Sequence, residues 1–148
     1  MPRILFVCGS NRSRGPLAAA LFKRLAEDVG LSDLEVDSAG LRCNPRQMIC
    51  PEVSEILAGM DISPLQIGVK QLLAKDIKAA DLVVCFTSDQ QKQLESSFLS
   101  ARKKTKTIMS IINSDIEVFD PAKGGKKKFR QCLDLMNPAL KTLAQKLR

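Results

Sequence analysis

At 148 residues, 45% apolar and 26% charged, the chain has the length and composition of one globular domain over 1–148, with no apolar run long enough to span a bilayer. Histidine is absent, which excludes the usual general base and the commonest zinc ligand and leaves any catalysis to cysteine, carboxylate, lysine or arginine. Charge is uneven: residues 1–100 hold 11 basic against 12 acidic side chains, whereas residues 101–148 hold 12 against 4, and with six phenylalanines as the only aromatics and no recognition module this basic third is expected to be solvated surface, not a nucleic-acid site.

Arg3 to Val7 is a short apolar run that ends in a turn rich in Gly, Ser and Asn, and is predicted as a strand. Pro16 opens a segment in which Leu17, Leu21, Leu25 and Val29 recur at helical spacing, and Gly30 closes it. Leu34 to Asp37 is expected to be a second strand, residues 39–50 a surface loop, and Glu52 to Ala58 a short helix. Asp81 to Phe86 (DLVVCF) reads as a strand buried on both faces, with Thr87-Ser88-Asp89 capping the helix that follows. Lys106 to Ile112 is the candidate fourth strand. Lys127 to Leu147 is a closing helix with Phe129, Leu133, Met136, Leu140, Leu143 and Leu147 on one side and Pro138 expected to kink or interrupt it. Strands alternating with helices predict an α/β fold, an open four-stranded parallel sheet with helices on both faces and a ligand site beyond the carboxyl ends of the strands.

The chemistry concentrates in V7-C8-G9-S10-N11-R12-S13-R14-G15-P16. Five cysteines and nine arginines place Cys and Arg six apart about 0.3 times by chance, so the spacing gains weight only from its context, a strand end followed by a small-residue loop and a helix start. In that context the N–H groups of Gly9, Ser10, Asn11, Arg12 and Ser13 can converge as an anion nest, the helix N-terminus adds partial positive charge, and Arg14 offers a fork matching two phosphate oxygens. A phosphate fits without a metal or cofactor. The same surroundings are expected to depress the Cys8 thiol by about 3 units, roughly 4 kcal/mol, making it a thiolate nucleophile.

Over essentially its whole length the chain resembles the low-molecular-weight protein tyrosine phosphatase family. The resemblance rests on Cys8 to Pro16, Ser38-Ala39-Gly40, Gly59 to Ser63, Asp81 to Phe86 and above all Asp120-Pro121 in a late loop. It implies the flavodoxin-like fold of phosphotyrosine phosphatase I type, with Cys8 as nucleophile, Arg14 as phosphate clamp and Asp120 as the acid that protonates the leaving group and later deprotonates water. Such a phosphocysteine route needs no histidine. The resemblance also makes Asn11 an internal brace of the loop, and the partner a phosphorylated protein or small phosphomonoester. Oligomeric state is left open.

The chain departs from the family in places. Gly15 stands where a hydroxyl usually supports the thiolate, a loss of about 1.5 to 3 kcal/mol and one to two powers of ten in activity, chiefly in phosphocysteine breakdown. Ser13 replaces the second loop cysteine, so the family's protective disulfide with Cys8 cannot form. Arg12 stands where the family has an aliphatic residue or, in protein-arginine phosphatases, threonine. No aromatic wall lies between residues 41 and 50. Alternatives of the same fold are a protein-arginine phosphatase or a thioredoxin-coupled arsenate reductase with Cys43 and Cys50 as a relay pair; a phosphate-binding pseudo-phosphatase is the non-enzymatic one. Cysteines 8, 43, 50, 85 and 132, without a CxxC, fit free thiols in a reducing compartment, and the N-terminus lacks a secretory pattern, so the expected location is the cytoplasm.

Overall fold

The computed structural model describes residues 2–148. Its elements run β1 (Arg3–Cys8), α1 (Arg14–Asp28), β2 (Glu35–Gly40), α2 (Pro51–Ala58), α3 (Ala74–Ala79), β3 (Leu82–Cys85), α4 (Ser88–Ser97), β4 (Thr105–Thr107) and α5 (Gly125–Leu147). The strands form one parallel sheet in the order β2-β1-β3-β4, as expected from the alternation of strand and helix patterns.

Two-faced burial explains why β1 and β3 are continuous apolar runs. Along β1, Ile4, Phe6 and Cys8 point to the layer of α1, α2 and α5, while Leu5 and Val7 point to the layer of α3 and α4. Val84 and Phe86 join the first layer, and Val83 and Cys85 the second. A polar residue in either register would face a core, which is the constraint on central parallel strands. Phe6 binds the first layer together, with its ring centroid 5.6 Å from Phe22 and 6.4 Å from Phe86. Burying each such side chain contributes on the order of 1.5 to 3 kcal/mol.

Because β1 leads to β2 on one side and β3 to β4 on the other, the loops leaving β1 and β3 diverge at a switch point, where the sheet opens a crevice. Cys8 ends β1 at that crevice, on the α1 and α5 side.

The structure corrects several sequence expectations. β2 continues to Gly40 because Ser38, Ala39 and Gly40 pair with Phe6, Val7 and Cys8, so the expected loop begins only at residue 41. Its far end is buried: the Ile49 N–H donates to the Ile67 carbonyl at 2.9 Å and the Cys50 N–H to the Arg12 carbonyl at 2.8 Å. The expected strand Lys106–Ile112 pairs only over Thr105–Thr107; Ile108–Ile112 winds into 3-10 turns. Ile108 and Ile111, three apart, eclipse in that geometry and are both buried. α3 was hidden in the sequence because only Ile77 of its six residues is buried, leaving no apolar period to read. α5 starts two residues early and runs through Pro138 without interruption: the missing N–H removes one hydrogen bond, while the buried face from Phe129 to Ala144 holds both sides against the core. Among the described residues, no helix is long and apolar enough to cross a membrane.

Candidate active site

The segment from Gly9 to Ser13 leaves β1 and feeds directly into α1. Its carbonyls are tied outward. The Cys8 carbonyl accepts from the Leu41 N–H at 2.9 Å, that of Gly9 from the Arg42 N–H at 2.9 Å, and that of Arg12 from the Cys50 N–H at 2.8 Å. No N–H from Ser10 to Ser13 donates to an oxygen among the described residues, so the amides are available to an anion.

One residue fixes this inversion. Asn11 is fully buried and left-handed, with φ 61°, a conformation asparagine tolerates better than most residues. Its Nδ2 donates to Ser38 Oγ at 3.1 Å, and its Oδ1 accepts from Gln66 Nε2 at 2.5 Å and the Lys70 N–H at 2.8 Å. Asn11 thus braces the loop against β2 and the segment around 66–70. Gly40 has to be small there, since a Cβ would lie 2.9 Å from the Asn11 nitrogen.

Arg14 enters from the first turn of α1 with its side chain only 12% exposed. Its NH1 donates to the Val118 carbonyl at 2.9 Å and its NH2 lies 4.0 Å from Asp120 Oδ2, whereas Nε is buried without a protein partner. The Nε–H of this held guanidinium is thus left for a ligand to satisfy. Asp120 reaches the same place from the loop before α5. Its Oδ1 accepts from Ser13 Oγ at 2.8 Å and from the Ala122 N–H at 3.1 Å. Arg12 turns the other way, its Nε donating to the Met48 carbonyl at 2.8 Å, which sets a fixed cation beside the loop.

Cys8 lies under this loop, 2% exposed. Burial pushes its thiol above the ordinary value; the Gly15 N–H, the Arg14 guanidinium and the Asn11 N–H pull it down, and Asp120 adds a small upward push. The expected depression is therefore not met. The amides and Arg14 act in the expected direction, but desolvation of the sulfur outweighs them, and Gly15 offers an N–H where a hydroxyl would add a second donor.

Cys8, Arg14, Asp120 and the loop from Gly9 to Ser13 are thus brought into one place. Ser38, Gln66 and the carbonyls of Met48 and Val118 complete the setting; no local pattern marks them, because each meets the loop across many intervening residues. All five cysteines are free thiols, and Cys43 donates to the Lys70 carbonyl at 3.3 Å while Cys50 stands at the N-terminal boundary of α2 without a side-chain cap bond.

Residues 3–148 match the family model described as low molecular weight phosphotyrosine protein phosphatase. The chain belongs to that family. It is 32% identical to a protein-arginine-phosphatase of Bacillus subtilis (strain 168), over 98% of this chain and 96% of that one. It is 29% identical to a low molecular weight protein-tyrosine-phosphatase of Streptomyces coelicolor, over 93% and 88%. The crystal structure of a low molecular weight protein tyrosine phosphatase from T. tengcongensis superposes with a TM-score of 0.92 at 26% identity, covering 99% of both chains. As a member of this family the chain is a cysteine-dependent phosphatase, and the low-molecular-weight phosphatase fold is the one read from its sequence.

Proposed function

We propose that the protein hydrolyses phosphotyrosine in protein substrates through a phosphocysteine on Cys8. The observation that carries this reading is the convergence of outward-tied carbonyls, unsatisfied amides and the unpartnered Arg14 Nε around the buried Cys8 sulfur. In the first step the Cys8 thiolate attacks phosphorus, the S–P bond forms and the P–O bond to the leaving group breaks, its oxygen taking the proton from Asp120. Arg14 and the loop amides hold the equatorial oxygens as charge builds on them. In the second step Asp120 takes a proton from water, whose oxygen attacks phosphorus; the S–P bond breaks and inorganic phosphate leaves.

A second reading, protein-arginine phosphatase, is favoured by the 32% identity to the Bacillus subtilis relative of that name. Arg12 argues against it. The group beyond the P–N bond of phosphoarginine is a guanidinium, which the Arg12 cation fixed on the Met48 carbonyl repels, whereas the neutral ring of phosphotyrosine can stack on it.

Turnover of p-nitrophenyl phosphate between pH 5 and 7, lost in Cys8→Ser, tests the phosphatase mechanism; activity that survives Cys8→Ser refutes it. Asp120→Ala is expected to slow phenyl phosphate far more than p-nitrophenyl phosphate, whose leaving group departs without a proton. Parallel phosphotyrosine and phosphoarginine substrates decide between the readings. Wild type should favour phosphotyrosine and Arg12→Thr should narrow the gap; a wild-type preference for phosphoarginine overturns the tyrosine assignment.

A further inference from the structure

The phosphate loop opens into a groove on the side away from Arg12. At the switch point between the ends of β1 and β3 lies a crevice of about 750 Å³, lined by Gly9, Ser10, Arg14, Arg42, Asp89 and Gln93 among others. A smaller hollow of about 280 Å³ shares Arg42 and Gln93 and carries the crevice along α4 toward Phe98. These volumes suit a short stretch of ligand. The crevice is wide at this wall, since a Cβ built on Gly9 meets nothing within 4 Å.

Three charged side chains line this groove, Asp89, Arg42 and Arg14, and they are not equivalent. Asp89 lies in the first turn of α4, where the helix dipole compensates a carboxylate. Arg42 has no such partner. Its backbone N–H is fixed to the Gly9 carbonyl at 2.9 Å, which stations the residue at the edge of the phosphate loop, while its side chain is exposed and forms no ion pair among the described residues. Arg14, the other cation of the groove, is already paired, donating to the Val118 carbonyl and lying 4.0 Å from Asp120 Oδ2. The uncompensated charge of the groove is therefore positive and sits on a residue whose backbone is hydrogen-bonded to the loop after β1.

We propose that this groove receives the polypeptide flanking the phosphorylated residue, and that Arg42 is a specificity-determining residue that takes a carboxylate close to it in sequence. The proposal rests on the phosphatase reading above and extends it from the phosphate to its surroundings. Binding is non-covalent, so the chemistry at Cys8 is unchanged.

The test compares phosphotyrosine peptides carrying Glu, Gln or Lys within three residues on either side, with wild type, Arg42→Gln and Arg42→Glu. Wild type is expected to favour the Glu peptide over the Lys peptide by about tenfold in kcat/KM, an effect that shrinks in 0.5 M salt. Arg42→Gln should remove most of the preference and Arg42→Glu should invert it, with p-nitrophenyl phosphate turnover within about twofold of wild type. Equal use of the peptides by wild type, or a Glu preference that survives in Arg42→Glu, overturns the proposal. The same peptides are titrated by fluorescence anisotropy against Cys8→Ser and its Arg42 double variants, where the same order is expected in Kd. If wild type does not hydrolyse p-nitrophenyl phosphate the phosphatase reading fails on its own, and the Kd order still decides the role of Arg42.

Discussion

Ser13 Oγ donates to Asp120 Oδ1 across 2.8 Å, joining residues 107 apart in sequence. The bond fastens the loop before α5, which carries the proposed acid, to the loop after β1. With the Ala122 N–H also on Oδ1, that oxygen is committed as an acceptor, and the transferable proton belongs on Oδ2, the oxygen 4.0 Å from Arg14. Ser13→Ala should leave the fold intact and free Asp120 to turn away. Turnover of phenyl phosphate is expected to fall by about tenfold and that of p-nitrophenyl phosphate by about twofold, because only the first leaving group needs the proton. An equal loss on both substrates shows that Ser13 merely supports the loop.

Gly15 packs directly against the proposed nucleophile, Cys8. A Cβ there would lie 3.1 Å from Cys8 Sγ and 3.5 Å from Asn11 Nδ2, close enough that a serine hydroxyl would reach the sulfur after a small rotation of the cysteine side chain. A new donor to the charged form lowers the thiol pKa, which burial now holds up. Gly15→Ser is expected to move the rising acidic limb of kcat/KM to lower pH by about one unit and to raise kcat by about tenfold through faster phosphocysteine breakdown. Thiol titration by iodoacetate checks the first effect and burst kinetics the second. An unmoved acidic limb sinks the claim that a donor is missing.

Asn11 carries both a backbone and a side-chain role, and two substitutions separate them. Asn11→Ala removes three hydrogen bonds from a buried site and puts alanine at φ 61°, a cost of roughly 3 to 4 kcal/mol. Asn11→Gly removes the same bonds but accepts the conformation, so it should cost about 1 kcal/mol less. Urea midpoints rank the variants, and both should bind inorganic phosphate more weakly than wild type. Equal midpoints for the two would show that the left-handed conformation is not under strain.

The sequence displayed those parts of the molecule whose physics is local. The two-faced apolar runs of β1 and β3, and the small-residue loop between Val7 and Pro16, state the sheet centre and the phosphate loop in consecutive residues. β4 was legible in place but not in extent, because a row of isoleucines around Met109 looks the same whether it extends or coils into 3-10 turns; packing beneath α5 decides it. The Asn11 brace was implied by resemblance, but its partners Ser38 and Gln66 come from segments 27 and 55 residues away, beyond any periodicity. The Cys8 pKa went wrong for a related reason: the favourable charges are written in the loop, while the burial that outweighs them is supplied by distant helices.

Cys85 and Cys132 give the protein an alkaline weakness of predictable sign. Burial pushes both thiols up to about 12, against an ordinary value of 9.0 in the unfolded chain. Each donates to carbonyls that a thiolate could not serve: Cys85 to Thr87 and Lys106 at 3.7 and 3.6 Å, and Cys132 to Phe119 at 3.8 Å, next to Asp120. Below pH 9 both states keep their protons and the folded state loses nothing. Between pH 9 and 12 the unfolded chain ionises while the folded one does not, so unfolding becomes easier by up to about 1.4 kcal/mol per pH unit for each thiol. Cys85→Val, which fills a similar volume without a proton to lose, is expected to leave the urea midpoint at pH 8 little changed and to reduce its fall between pH 9 and 10.5 relative to wild type. A variant whose midpoint declines as steeply as that of wild type would place the alkaline weakness in other groups.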